Sequence, residues 1–245
     1  MRKDYFDGSI AESYDHDVSP MFNPAVVAAT VDFLTDLAGD GAALELGIGT
    51  GRIALPLSAR GVPVHGIDLS PGMVAQLQAK PGAADIDVTI GDFATTLVPG
   101  TFRLAYLVFN TIGNLTSQDD QVACFTNVGR HLEPGGCFVI EVGVPPLRRL
   151  PPGETTLAFN VTPDHVGFDT FDVARQQGVS HHYWVGAGRA ETFSLPYRFV
   201  WPAELDLMAR IGGMRLRERW SDWSRTPFTG ESVSHVSVWE KPAAR

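Results

Sequence analysis

Cysteine is nearly absent from this sequence. Its two thiols are Cys124, in a helical pattern, and Cys137, in an apolar strand pattern. Isolated thiols in apolar surroundings suit a reducing compartment, so no disulfide framework is expected. Cations are also scarce, with 19 Lys and Arg against 28 Asp and Glu, a formal net charge of -9 and a pI near 5.2. A chain of that sign repels polyanions on average, which argues against a nucleic-acid partner. No apolar run approaches the ~18 residues of a membrane span. The start, Met1-Arg2-Lys3-Asp4-Tyr5, is basic but lacks the apolar core of a secretory leader, so the expectation is a cytoplasmic protein with no membrane partner. Internal repeats, linkers and low-complexity segments are missing. No Asp/Asn cluster has defensible metal-ligand spacing, and the adjacent His181 and His182 fall in a strand pattern, where neighbours point to opposite faces. No metal is expected. What remains is ordinary globular composition, 44% hydrophobic and 10% aromatic, long enough to bury one large core over residues 1–245. A small-molecule partner is favoured.

The chain begins with a polar segment, residues 1–23, carrying Tyr5, Phe6, Tyr14 and Phe22, with a short helix over Ile10 to Tyr14; it reads as a lid. Pro24 suits a first helical turn, and the apolar period from Val26 to Leu37 continues to Gly39. A strand at 42–46, a glycine turn and a helix at 53–59 follow. Next come a strand at 64–68, a Ser70-Pro71 helix start, a strand at 86–90 and a nearly continuous apolar strand at 102–109. Ser117 caps a helix with Val122, Phe125, Val128 and Leu132 on one face, and Glu133-Pro134-Gly135-Gly136 turns into a strand at 137–142. Strands alternating with helices predict a parallel, doubly wound α/β sheet.

From about Pro145 to residue 200 the rhythm changes. Strand-like runs at 155–161, 166–176, 180–185 and 190–195 are separated by short turns, Gln177-Gly178 and Gly186-Ala187-Gly188. Without helices between them they can pair only antiparallel, giving an inserted antiparallel β layer. Pro202 opens a final helix with Leu205, Met208, Ala209 and Ile211 on its buried face, and runs at 214–223 and 234–241 form a closing antiparallel pair.

The turn after the first strand organises the rest. In Glu45-Leu46-Gly47-Ile48-Gly49-Thr50-Gly51-Arg52, three alternate glycines let the backbone turn tightly and approach a ligand. A dinucleotide fingerprint would need its third glycine where Arg52 stands, and Glu45 puts an anion near the pyrophosphate position. A nicotinamide oxidoreductase is therefore the weaker alternative.

On these residues the chain resembles the class I S-adenosylmethionine-dependent methyltransferases, over about 10–145 and 198–241. The resemblance implies a Rossmann-like, seven-stranded sheet with an antiparallel last strand, and S-adenosyl-L-methionine as cofactor. It further implies that Glu45, Gly47, Gly49 and Gly51 form the first cofactor motif. Asp68, followed by Leu69, matches the acid that accepts from the ribose hydroxyls, a task suited to a carboxylate's two oxygens. Asp92 and Phe93 match the adenine contact, and Val108, Phe109 and Asn110 lie where relatives hold the methionyl part. Tyr14 matches an N-terminal segment folded over the cofactor. The loop Phe109 to Leu115 resembles that of sugar-amine N-methyltransferases, which tilts the expected acceptor from oxygen toward nitrogen. A non-catalytic S-adenosylmethionine-binding protein is a further alternative.

Methyl transfer from a sulfonium needs alignment and exclusion of water more than a dedicated catalytic group. No catalytic residue is therefore assigned by spacing; Tyr14, His165, His181, His182 and Asp222 are the candidate bases. The insert, with Phe159, Phe168, Phe171, Tyr183, Trp184 and Tyr197, is expected to roof the acceptor pocket or to form a homodimer surface.

Overall fold

The computed structural model describes residues 3–17, 23–186 and 189–243. The expectations at Met1, Arg2, Phe22, Ala187 and Gly188 lie outside these. Helices α1 (Ser9–Asp17) and α2 (Pro24–Ala38) precede the first strand. Asn23 caps α2 by accepting from the Ala25 amide, with Pro24 at the first helical position. Then follow β1 (Ala43–Leu46), α3 (Ala54–Ser58), β2 (Val64–Asp68), α4 (Pro71–Gln78), β3 (Ile86–Ile90), β4 (Phe102–Leu107), α5 (Gln118–His131) and β5 (Leu132–Gly143). After the insert come α6 (Pro202–Ile211), β10 (Arg215–Trp220) and β11 (Ser234–Glu240).

The main sheet has seven strands in the order β10-β11-β5-β4-β1-β2-β3. Strands β1 to β5 pair parallel, and β11 runs antiparallel between β5 and β10, as the closing pair of runs predicts. Side chains alternate across the pleat. Leu44 and Leu46 of β1 pack with Phe125 and Val128 of α5 and with Leu205 and Met208 of α6. Ala43 joins the other layer, with Phe33 and Leu34 of α2 and Leu57 of α3. Ile211 does not join the buried face of α6; it is 64% exposed, because the helix ends there and only Leu205, Met208 and Ala209 reach the core.

The insert is a separate antiparallel sheet of β6 (Thr156–Val161), β7 (His165–Asp172), β8 (Gln177–Gly186) and β9 (Arg189–Arg198), in that order. Gln177 and Gly178 are not its turn: the connection is 173–176, with Gln176 at φ 54°, and both residues belong to β8. Gly178 is required there by close packing, since a Cβ would stand 2.4 Å from Cζ of Tyr197. A polar joint fixes this sheet to the core. Arg198, buried at the end of β9, pairs through Nη2 with Glu204 Oε1 of α6 at 2.6 Å and donates through Nη1 to Gln121 of α5. Gln176 bridges the same groups, donating to Glu204 Oε2 at 2.8 Å.

Candidate functional site

The parallel strands end together, and the loops leaving them build the site. After β1 the backbone passes through Gly47, Gly49 and Gly51 with φ of 67°, 55° and 80°, the left-handed region that side chains rarely adopt. A Cβ at Gly51 would stand 2.9 Å from Leu77 of α4, so this glycine serves packing. Gly49 instead turns its amide outward: it donates to Asp68 Oδ2 at 2.7 Å, while Asp68 Oδ1 accepts from the Ser70 amide at 2.9 Å. The Ser70 hydroxyl caps α4. Burial pushes the Asp68 carboxyl upward, opposed by those amide bonds. The result is an oriented carboxylate with lone pairs left over, able to accept from a vicinal diol. Past β3, Asp92 accepts from the Ala94 amide at 2.9 Å. Gly47, Gly49, Asp68, Leu69, Asp92 and Phe93 line one small cavity of about 110 Å³, closed on its outer side by Tyr14 and Phe6.

Helix α1 is latched over this cradle. Asp15 accepts from Thr50 Oγ1 at 2.6 Å and pairs with Lys80, whose Nζ also donates to the Thr50 carbonyl at 2.8 Å. Tyr14 meets Phe6 edge to face, and burial pushes its hydroxyl up to about 12 despite the nearby Arg52 charge. The Arg52 guanidinium lies 5.5 Å from the centre of the Phe109 ring, and its charge also pulls on Glu45. This explains how a cation is tolerated beside the glycine turn.

The loop after β4 carries two consecutive non-glycine residues in the left-handed region, Phe109 at φ 57° and Asn110 at φ 60°. Each such residue costs on the order of 1–3 kcal/mol and persists only where its surroundings over-determine it. Here β5 does so. Glu141 Oε2 accepts from the Phe109 amide at 3.0 Å, and the Glu141 carbonyl accepts from Asn110. Asn110 Oδ1 accepts from the Gly143 amide at 2.7 Å. Trp223 holds the other oxygen of Glu141 at 2.9 Å. Neither Glu141 nor Trp223 stands among the residues proposed from the sequence; the one signal was a charge inside the apolar strand 137–142.

Glu45 and Val108 stand behind the cavity walls rather than on them. Glu45 is buried, accepting from the Tyr106 hydroxyl at 2.9 Å and from the first amide of α3, and burial lifts its pKa to about 8. Burial thus favours the neutral form of the Glu45 carboxyl, against the opposing Tyr106 and Ala54 hydrogen bonds and the Arg52 charge. Its folded pKa lies above the unfolded value near 4.5, so its contribution is complete below that value. It is lost at about 1.4 kcal/mol per pH unit as pH rises toward 8. Glu45→Gln, a neutral isostere, is expected to match the parent in melting temperature at pH 4.5 and to exceed it increasingly from pH 6 to 8, as read by calorimetry.

A second cavity of about 890 Å³ adjoins the first, the two sharing Phe6, Tyr14, Thr111, Asn114 and Leu195 as walls. Phe109 and Asn110 line its floor, and one face of the insert roofs it. Alternation along β7, β8 and β9 sends His165, Asp169, Ser180, His182, Trp184, Phe193 and Tyr197 inward. His165, His182 and Trp184 stack with ring planes within 15° of parallel and centroids 5.1–5.2 Å apart. Burial and the neighbouring histidines push His182 downward, toward the neutral form. His181 faces the other way and stacks on Phe168, while Asp222 closes a turn by accepting from the Ser224 and Thr226 amides. Of the candidate bases, Tyr14, His165 and His182 reach the cavity. Asp169, which the sequence reading overlooked, does so too. Among the described residues no group of three His, Cys, Asp or Glu could hold a metal, and no helix is long and apolar enough to cross a membrane.

Residues 43–136 match the family model for a methyltransferase domain. The solved CcbJ methyltransferase from Streptomyces caelestis is 34% identical, superposes with a TM-score of 0.85, and the match covers 96% of either chain. The cypemycin N-terminal methyltransferase of a Streptomyces species is 28% identical over 96% of this chain and 97% of its own. The fold also matches S-adenosylmethionine-bound CalS10 from Micromonospora echinaspora, an amino pentose methyltransferase, at a TM-score of 0.72 and 20% identity, covering 96% and 97% of the two chains.

Proposed function

This chain belongs to the class I S-adenosylmethionine-dependent methyltransferases, and from that premise we propose that it methylates a nitrogen of a small-molecule acceptor held under the inserted sheet. The observation that carries this reading is the pair of adjoining cavities, one built on the glycine turn and Asp68, the other large, aromatic and roofed. Displacement at a sulfonium methyl needs two ligands in line with water excluded, and two pockets with a common wall suit that demand. S-adenosylmethionine supplies an already activated methyl group. In this reading Asp68 accepts from its ribose hydroxyls, Asp92 and Phe93 receive the adenine, Gly47 and Gly49 admit the backbone close to the ligand, and Phe109 and Asn110 border the methionyl end. The cradle suits such a group: a Cβ at Gly47 would stand 2.8 Å from Thr111, so the backbone there has no room for a side chain. Tyr14 and the latched α1 act as the lid. Nitrogen is favoured by the name of the cypemycin relative and by the likeness of the Phe109 to Leu115 loop to those of sugar-amine enzymes.

The test is incubation with methyl-labelled S-adenosylmethionine and matched panels of primary amines and alcohols, with products read by mass spectrometry. N-methylated products are the expected result. Label only in ethers would assign oxygen instead, and label in no product from any panel or cell extract would favour a binding protein without turnover.

A further inference from the structure

Most polar groups facing the large cavity are already partnered. Arg198 is neutralised by Glu204, and Asn110 holds Gly143. The two inward histidines are bonded to each other, His165 Nε2 to His182 Nδ1 at 3.1 Å, with Asn160 on the far side of His165 at 2.7 Å and Ser180 beyond His182 at 3.3 Å. Asp169 is the exception. It lies on β7 directly across from Ser180, lines the cavity, and its Oδ1 is buried without a hydrogen-bond partner. The Ser180 and Tyr197 hydroxyls bond to its carboxyl. The Tyr197 ring reaches that position because β8 has Gly178 beneath it, where a Cβ would stand 2.7 Å from the Tyr197 hydroxyl. A buried carboxylate oxygen without a donor costs several kcal/mol unless a ligand completes it. The surrounding surface is aromatic: His182, Trp184, Phe193 and Tyr197 offer ring faces and carry no cation.

We infer that Asp169 is the anchor for the acceptor's amine: its carboxylate receives the arriving ammonium and takes one N–H proton, which leaves the nitrogen a lone pair to accept a methyl group, while the neighbouring rings receive the rest of the acceptor. The inference rests on the proposed small-molecule acceptor and deepens it by assigning the acceptor's chemical class, an aromatic or apolar primary or secondary amine, and the residue that selects it. A carboxylate in a low-dielectric wall discriminates a cation from a neutral molecule of equal shape, both by charge-assisted hydrogen bonding and by the cation's attraction to ring faces. Apolar walls without such an anion would bind the two about equally well.

The experiment measures calorimetric binding of 2-phenylethylamine, benzylamine and tryptamine, each against the alcohol of matching shape, to the S-adenosylmethionine-loaded protein. The parent should bind at least one amine about tenfold or more tighter than its alcohol, the scale of a charge-assisted hydrogen bond. Asp169→Asn should erase that preference while alcohol affinity and S-adenosylmethionine affinity stay level. Ser180→Lys places a competing ammonium beside the carboxylate and should erase it as well, deciding the matter if the first variant loses its fold. Glu191→Gln, which alters a different acid at the exposed rim of the cavity, should keep it. Equal affinity for every amine and its alcohol in the parent, or a preference that survives both Asp169→Asn and Ser180→Lys, overturns the assignment. The same titrations on the protein without S-adenosylmethionine separate the two readings: a parent that binds these amines there but never binds S-adenosylmethionine would count against the proposed function instead, and leave the anchor standing.

Discussion

Gly49→Val is expected to abolish S-adenosylmethionine binding while the protein stays folded. The residue sits at φ 55°, where a β-branched side chain is strained by on the order of 1–3 kcal/mol. That is a fraction of the roughly 5–15 kcal/mol that holds a domain together. The local cost is larger in kind. A valine that relaxes to negative φ turns the amide away from Asp68 Oδ2, releasing the carboxylate from one of its two amide donors. One that keeps the native φ projects its Cβ to 3.3 Å from the end of Met73, a flexible neighbour, and its methyl groups into the cradle that Gly49 and Met73 both line. Either route should raise the Kd by at least about 100-fold, roughly 2.7 kcal/mol. Calorimetric titration checks the affinity and circular dichroism the fold; parental affinity would mean that the glycine turn does not hold the cofactor.

Arg198→Met is expected to destabilise the protein more than any single change in the cradle. The guanidinium is 5% exposed and its Glu204 partner 15% exposed, so removing the cation leaves a largely desolvated carboxylate together with unsatisfied Gln121 and Gln176. Breaking such a pair from one side costs about 3–5 kcal/mol. For a chain of this size the corresponding fall in melting temperature is roughly 6–20 °C. Adding Glu204→Met should recover part of the loss, because the stranded charge is then gone, and the double variant should fall well short of the sum of the two singles. Additivity would show that the two side chains do not act as a pair. Hydrogen exchange should also rise first in β7 to β9, the strands that this joint docks onto α5 and α6.

These two sites differ in how far the sequence announces them. The glycine turn, Asp68 and the strand-helix rhythm are local patterns, each written within a few residues, and the parallel sheet follows from them with most element ends displaced by only a residue or two; the exception is β5, expected at 137–142 after a Glu133 to Gly136 turn, which begins at Leu132 and takes in that stretch. The Arg198 joint spans 77 residues to Gln121, and no local pattern marks either end. Gly178 illustrates the opposite error. A glycine after a polar residue imitates a turn, yet here its missing side chain makes room for Tyr197, a partner on another strand. Ile211 fits the helical period but falls where α6 stops covering the core. The strain at Phe109 and Asn110 was equally unreadable, since Glu141, which stabilises it, lies on β5. Local chemistry was legible; what one element requires of a distant one was not.

The pleat of the inserted sheet has an evolutionary consequence. Each roof strand carries two interleaved sets of side chains, one facing the cavity and the other, including His181, Phe168 and Tyr183, facing away. The backbone ladder that binds β6 to β9 belongs to neither set. If the cavity takes the acceptor as proposed, inward positions such as Phe193 and Trp184 can drift under selection for a new one while the ladder and the outward set preserve the sheet, and the Arg198 joint preserves its seat. On the proposed acceptor reading, ligand choice and foldedness would then rest on different side chains of the same strands.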